Sequence, residues 1–389
     1  MTRNETMTRV ADERARLYAE MDPANLAPLW ESLHALVPAR PRSPCRPALW
    51  RYDEVRPFLM RAGEVITAEE AVRRVLILEN PGLRGQAAVT QSLYAGLQLI
   101  LPGEVAPSHR HVQTALRFVV EGSGAFTAVN GERTTMHPGD FIITPSWTWH
   151  DHGNESGNAV IWLDGLDIPT VRMLDTGFAE NYPAAQQPVL RSEGSNFARF
   201  GANMAPMAHD READPHGPTS PLFAWPYERS RDALARLRRD APIDPWEGVK
   251  LRYLNPATGG WPMPTIAAFL QMLPAGFDGK AWRQTDGAVF SVVEGRGRAI
   301  IEREVDGKGD GKGDGKGDGK GDGKGDGKGE GRGGGEVERT VFEFGPRDHF
   351  VVPSWHRCRL SASEDAILFS FSDRPIHAAL GMLREERLD

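Results

Sequence analysis

Val119-Val120-Glu121-Gly122-Ser123-Gly124, followed by Pro145-Ser146-Trp147, returns later as Val292-Val293-Glu294-Gly295-Arg296-Gly297, followed by Pro353-Ser354-Trp355. An apolar pair ending a strand, an acid, a glycine turn and a further strand are written twice, so the chain carries two copies of one β unit. The two landmarks lie 26 residues apart in the first copy and 61 in the second. The difference of 35 is close to the length of the Gly-Lys-Gly-Asp tract from Asp306 to Arg332, which reads as an insertion in one hairpin of the second copy. Short β-type runs surround both landmarks. RVLILEN, LYAGLQLIL, ALRFVVEG, GAFTAVNG, DFIITP and NAVIWLDG lie in the first, and TIAAFLQML, GAVFSVVEG, GRAIIERE, TVFEFG, HFVVPSW and AILFSFSD in the second. Such spacing predicts a mainly β chain built of two barrels or sandwiches.

Outward from these units the texture changes. Leu17, Met21, Leu26, Trp30, Leu33 and Leu36 recur at helical spacing, and Pro23 and Pro28 divide them into two helices. PARPRSPCRP at 38–47 is an extended connector. YERSRDALARLRR, from Tyr227 to Arg239, is one amphipathic helix. The expected organisation is an N-terminal helical segment (1–74), a first barrel (75–170), a helical linker (171–261) and a second barrel (262–389), with the insertion at 306–335. The tract from Asp306 to Arg332 has six Asp, one Glu, six Lys and one Arg, and about half of it is glycine. It is neutral with nothing to bury, so a solvated, disordered loop is expected.

Composition removes several classes of function. With 389 residues and 40% hydrophobic content there is material for a real core, while a net charge of −7 excludes a generally basic surface for nucleic acid. No apolar run approaches the ~18 residues of a membrane span. The polar start MTRNETMTRVADERARLYAEM lacks a signal-peptide core. Two cysteines, Cys45 and Cys358, make no disulfide framework. A cytoplasmic protein with no nucleic-acid or membrane partner is expected.

Chemistry is concentrated in Pro107-Ser108-His109-Arg110-His111-Val112-Gln113 and in Pro145-Ser146-Trp147-Thr148-Trp149-His150-Asp151-His152. Residues i and i+2 of a strand share a face, so His109 and His111 project together. A third histidine from a later strand, His150, can close one face of a metal and leave other positions open. His152 is the alternative third ligand. Gln113 could support the ligands from behind. Imidazoles alone suit iron, zinc, copper or nickel.

The segment from Gly103 to Asn154 resembles the two signature motifs of the cupin superfamily, whose fold is a double-stranded β-helix, or jelly-roll, barrel. Gly139, Pro145, His150 and Asn154 stand at the spacing of the second motif, with Trp147 in place of its usual glycine. The first motif's glutamate is missing, since Ala115 and Leu116 occupy its positions. An all-histidine site leaves the 2+ charge uncompensated and favours an anionic chelating substrate. More widely, SLYAGLQLILPGEVAPSHRHVQTALRFVVEG, PSWTWHDHGN, IWLDGLDIP, SPLFAWPYERSRDAL and FVVPSW resemble the gentisate 1,2-dioxygenase family. These are bicupin enzymes that include salicylate and 1-hydroxy-2-naphthoate dioxygenases.

That resemblance implies one Fe(II) per chain, held by His109, His111 and His150, and a homotetramer. It implies a small aromatic hydroxy-acid substrate, gentisate, cleaved with O₂ between its carboxylate-bearing and hydroxyl-bearing carbons to maleylpyruvate. Arg117 shares the inward parity of the ligands and could fork onto the substrate carboxylate; a surface arginine is the alternative. The resemblance places Gln98 facing the metal site. His152 could hydrogen-bond the substrate hydroxyl or accept its proton. Asp164 could accept from the second hydroxyl, the alternative being a strand-end turn residue. Arg73 and Tyr94 are further candidates for the pocket wall. His34, His137, His209, His216, His349 and His377 follow no pattern and read as ordinary polar residues.

Alignment on the repeats puts Trp282, Gln284 and Cys358 where the first copy has His109, His111 and His150. The second barrel is therefore expected to hold no metal. Rival functions are salicylate or 1-hydroxy-2-naphthoate cleavage, an isomerase or decarboxylase on the same scaffold, and a non-catalytic metal-binding cupin acting as sensor or structural protein.

Overall fold

The computed structural model describes residues 3–202, 219–305 and 336–389. The GKGD tract and its expected disorder lie outside the described residues, as do His209 and His216. Residues 1–42 form one compact unit and 43–389 another. In the first, helices Arg3–Met21 and Leu29–Leu36 flank a short 3₁₀ turn at Asp22–Ala24, where Asn25 takes a left-handed conformation.

The second unit is the duplicated β structure, in two pairs of antiparallel sheets. The first barrel sets Ala224–Trp225, Phe141–Thr144, Ala115–Glu121, Val160–Leu166, Tyr94–Ile100 and Val75–Ile77, in that order, against Ala179–Asn181, Val105–His111, His150–Asn154, Ala125–Val129 and Glu132–Thr135. The second barrel repeats the plan. Ala48–Trp50, His349–Val352, Ala288–Glu294, Ala366–Ser372, Ala267–Leu273 and Val249–Arg252 face Glu336–Phe344, Gly297–Val305, Arg357–Ala362, Trp282–Gln284 and Glu385–Arg387. The repeated glycine explains itself. Gly122 and Gly295 have φ of +81° and +72°, and a Cβ there would fall 2.2 Å from Ala159 O and 2.1 Å from Asp365 O.

The repeat extends beyond the barrels, and here the structure departs from a purely helical segment before residue 74. Ala48–Trp50 is a strand of the second barrel, paired with His349–Val352, just as Ala224–Trp225 pairs with Phe141–Thr144 in the first. Each of these strands runs straight into a helix that lies on the opposite barrel. Tyr52–Val65 packs over the strand Tyr94–Ile100, with Gly63 against Leu99 and Leu101. Tyr227–Asp240 packs over the second barrel's Val249–Arg252 and Ala267–Leu273.

The helix starts act as clamps. The Tyr52 amide donates to Asp348 of the second barrel at 2.9 Å, while its hydroxyl donates to Glu121 of the first at 2.8 Å. Tyr227 reverses this, its amide donating to Asp140 and its hydroxyl to Glu294. Arg56 and Arg231 fork onto the same two glutamates and hold their carboxyls below the usual range. Between the barrels the core is continuous. Phe118 stacks on Phe369 at 4.1 Å, and Phe141 and Tyr253 close around them. Each such ring contributes about 1.5–3 kcal/mol by leaving water.

His349 departs from its reading as an ordinary polar residue. It is fully buried on the second barrel's inner strand, and neither ring nitrogen has a partner. It stands directly opposite Ser291, whose hydroxyl is also unpartnered. Burial drives its pKa down to about 3.

Candidate metal centre

Strand pairing builds the site. Val105–His111 lies against His150–Asn154 with His109 opposite His150, after a bulge between Ala106 and His109. The three rings meet with centroids 5.3, 4.5 and 4.8 Å apart, and one nitrogen from each of His109, His111 and His150 lies within 4.8 Å of the others. Among the described residues no other group of three or more His, Cys, Asp or Glu converges in this way. His152 lies beside the cluster, 5.9 Å from His150 between ring centroids and 5.4 Å from Trp162.

The donor set suits a transition-metal dication. His111 Nδ1 is 2.8 Å from Gln113 O, and His150 Nδ1 is 2.9 Å from Thr148 O. A carbonyl accepts only from N–H, so these bonds put the proton on Nδ1 and leave the Nε2 lone pairs free. The support from Gln113 thus comes through its backbone. Burial, reinforced by Arg73, holds His109 at about 3, and burial holds His111 at about 4. His150 is held well below its ordinary value, by burial first and then by its neighbours. The imidazoles are neutral at working pH, as ligands must be.

Trp147, standing where the motif has glycine, sits at φ +59°, and its repeat Trp355 at +61°. The left-handed backbone explains the usual glycine. Here the indole is held instead by Phe178 at 4.4 Å and by the Arg110 guanidinium 4.4 Å from its ring.

Around the triad, the strand register gathers most of the other candidates. Asp164 lies opposite Gly96 on one side and Arg117 on the other, and Gln98 lies opposite Trp162. Arg117 is buried, not a surface residue. Its Nη1 donates to Thr144 Oγ1 at 2.5 Å, its Nε has no partner, and the Asp164 carboxylate is 3.9 Å away. Asp164 accepts from Trp162 Nε1 at 3.0 Å, and burial raises its pKa to about 6 against the pull of Arg117. His152 is buried with both nitrogens unpartnered. Arg73 donates to Pro107 O at 2.7 Å and approaches His109 Nδ1 at 3.3 Å; burial and Arg117 lower its pKa to about 10. Tyr94 is buried near Asp164; burial first, and then that carboxylate, raise its pKa.

Three contributors escaped the sequence reading. Thr144 and Trp162 hold Arg117 and Asp164; Trp162 shares the i, i+2 parity of Asp164, a signal that was available. Gln187 had no signal. From the connecting segment after Asn181, its amide donates to Asp151 Oδ2 at 3.0 Å. Its side chain donates to Ala128 O and Trp149 O, both at 3.1 Å, and accepts from Gly131 N at 2.8 Å. The same segment pairs Ala179–Asn181 with His109–His111. One strap therefore backs both ligand strands.

Inward-facing histidines in a duplicated jelly-roll barrel define a bicupin with one cluster that can hold a metal ion. The cupin domain family matches residues 96–166. Gentisate 1,2 dioxygenase 1 of Aquipseudomonas alcaligenes is 48% identical over 378 residues, 97% of each chain. A gentisate 1,2-dioxygenase of Streptomyces sp. is 35% identical over 99% of this chain and 98% of its own. The crystal structure of a salicylate 1,2-dioxygenase from Pseudaminobacter salicylatoxidans in adducts with gentisate superposes with a TM-score of 0.81 at 30% identity, covering 96% of this chain and 94% of that one. The chain belongs to the gentisate 1,2-dioxygenase family, and is an oxidoreductase of the dioxygenase class.

In the second barrel Trp282 pairs with Cys358 as His109 pairs with His150. Cys358 is a buried free thiol whose pKa burial pushes up, and among the described residues it joins no converging group of three or more His, Cys, Asp or Glu. Among the described residues no helix is long and apolar enough to cross a membrane.

Proposed function

We propose that this chain is a gentisate 1,2-dioxygenase of the cytoplasm, working as a homotetramer with one Fe(II) per chain on His109, His111 and His150. The carrying observation is an all-imidazole donor set beside the buried guanidinium of Arg117 and the half-buried one of Arg73. Neither the ligands nor these neighbours cancel the metal's charge, so an anionic aromatic chelator is favoured. Ferrous iron, when bound, supplies the one-electron chemistry that lets O₂ react with the ring.

The chain's own residues bind and orient. Arg117, already fixed by Thr144, offers its free Nε–H to the substrate carboxylate. Gln98 and Tyr94 form the wall beside the ring, and Arg73 adds positive charge at the rim. His152, with two unpartnered nitrogens, takes and holds the proton released by the chelating hydroxyl. Asp164 accepts the hydrogen bond of the second hydroxyl, the group that separates gentisate from salicylate. Cleavage between the carboxylate-bearing and hydroxyl-bearing carbons yields maleylpyruvate. The likeness to a salicylate enzyme makes salicylate the second reading.

The test is anaerobic loading with Fe(II), then gentisate and air, following oxygen uptake and the ultraviolet absorbance of maleylpyruvate. His111→Ala abolishes both signals. Uptake with salicylate but not gentisate would move the assignment to the second reading, and no uptake with either would sink the proposal.

A further inference from the structure

The second barrel keeps a cavity where the first has its site. Its volume is about 250 Å³, and its walls include Trp282, Gln284, Phe290, Phe269 and Ser370. By strand register these stand at the positions of His109, His111, Arg117, Gly96 and Asp164. Among the described residues of this barrel no three potential ligands converge, yet the interior has not been filled. We propose that this cavity is a metal-free binding site for a small aromatic carboxylic acid. The choice of probe rests on the substrate class proposed above; the site itself does not.

Two features of the wall match two parts of such a ligand. Trp282, Phe269 and Phe290 offer flat apolar surface to a ring. Lys250 and Arg374 supply cationic donors for a carboxylate. Lys250 Nζ is 2.6 Å from Glu247 and 4.6 Å from the Phe269 ring centre, so one of its three N–H bonds is engaged by the carboxylate. Arg374 is braced by Glu385 at 2.5 Å and Asp286 at 3.4 Å, which fixes its place on the wall.

Equilibrium dialysis of the Fe(II)-loaded full chain under nitrogen, with radiolabelled salicylate as probe, reads the number of sites without turnover. Two equivalents per chain are expected. Lys250→Gln, which removes a cation, and Ala288→Leu, which fills the cavity, each weaken one equivalent at least tenfold and leave the other. His111→Ala removes the other and keeps this one. Circular dichroism and the melting temperature report whether each variant is folded; His111→Ala lies in the opposite barrel and decides the question even if the second-barrel variants do not fold. One equivalent in the native chain, none in His111→Ala, or a second equivalent that survives both folded second-barrel variants overturns the proposal. Failure of the gentisate reading would show separately, as absent oxygen uptake with both equivalents bound.

Discussion

Gln187→Ala tests whether the strap behind the ligand strands sets the metal site or only holds the barrel together. The side chain is buried and makes three hydrogen bonds, to Ala128 O, Trp149 O and Gly131 N. Trp149 O keeps a second donor in Asn130 N, whereas Gly131 N is left with no other hydrogen bond among the described contacts. At about 1 kcal/mol per bond, and somewhat more for a buried group left unmade, the loss is roughly 3 kcal/mol. Trp149 is bonded directly to His150, so part of that loss reappears as freedom of a ligand. Removing a group that braces a ligand lowers metal affinity about 10–100-fold, or roughly 1.4–2.7 kcal/mol. The assay is chelator competition for Fe(II), run beside thermal melts of loaded and metal-free protein. The loaded form should lose more stability than the metal-free form, with affinity down by at least tenfold. A metal-free melt that drops several degrees while affinity stays within twofold would refute the reasoning.

Other outcomes follow from the same geometry. His349 is buried neutral with its pKa near 3 against an ordinary 6.5, so the unfolded chain takes up the proton first. Its contribution is intact above about pH 6.5 and is lost as pH falls, at up to about 1.4 kcal/mol per unit. His349→Phe, copying Phe141 of the first barrel, should flatten that part of the acid limb in urea melts taken from pH 7 to pH 4; an unchanged slope would count against it. Arg117→Lys keeps the charge but loses the fork, and should cost about 1.5–3 kcal/mol in kcat/KM for gentisate, read from initial rates of oxygen uptake. Val305 and Glu336 face each other in the ladder, so replacing 306–335 with Asn-Gly should close the hairpin and leave oxygen uptake and melting temperature nearly unchanged.

What was legible in the sequence was local or periodic. The VVEGxG and PSW repeats mark strands whose register is the same in both barrels, and the missing ligands of the second barrel could be read by counting from them. His109 and His111 share a face because strands alternate, and His150 falls opposite His109 through the ladder. What was not legible depends on partners far away in the chain. Nothing within Ala48–Trp50 says that it pairs with His349–Val352. His349 carries no mark of burial beyond its place in HFVVPSW, and Gln187 sits in a stretch without periodicity. Tyr52-x-x-x-Arg56 and Tyr227-x-x-x-Arg231 are a visible repeat, yet their meaning requires Glu121 and Glu294 to be known as neighbours.

The exchange of strands between the two halves sets an order on biosynthesis. The barrel with the histidine cluster receives its edge strand, Ala224–Trp225, soon after its own last strand has left the ribosome. The other barrel must wait in the opposite sense: Ala48–Trp50 is made early and meets its partner only after about 300 further residues have been added. At about 5–20 residues per second that is a delay of roughly 15–60 s with an unpaired strand exposed. A nascent chain stalled between the halves would therefore carry a nearly complete first barrel and a free, adhesive edge. Dividing the gene at the linker should give a soluble first half only if that edge is removed with it.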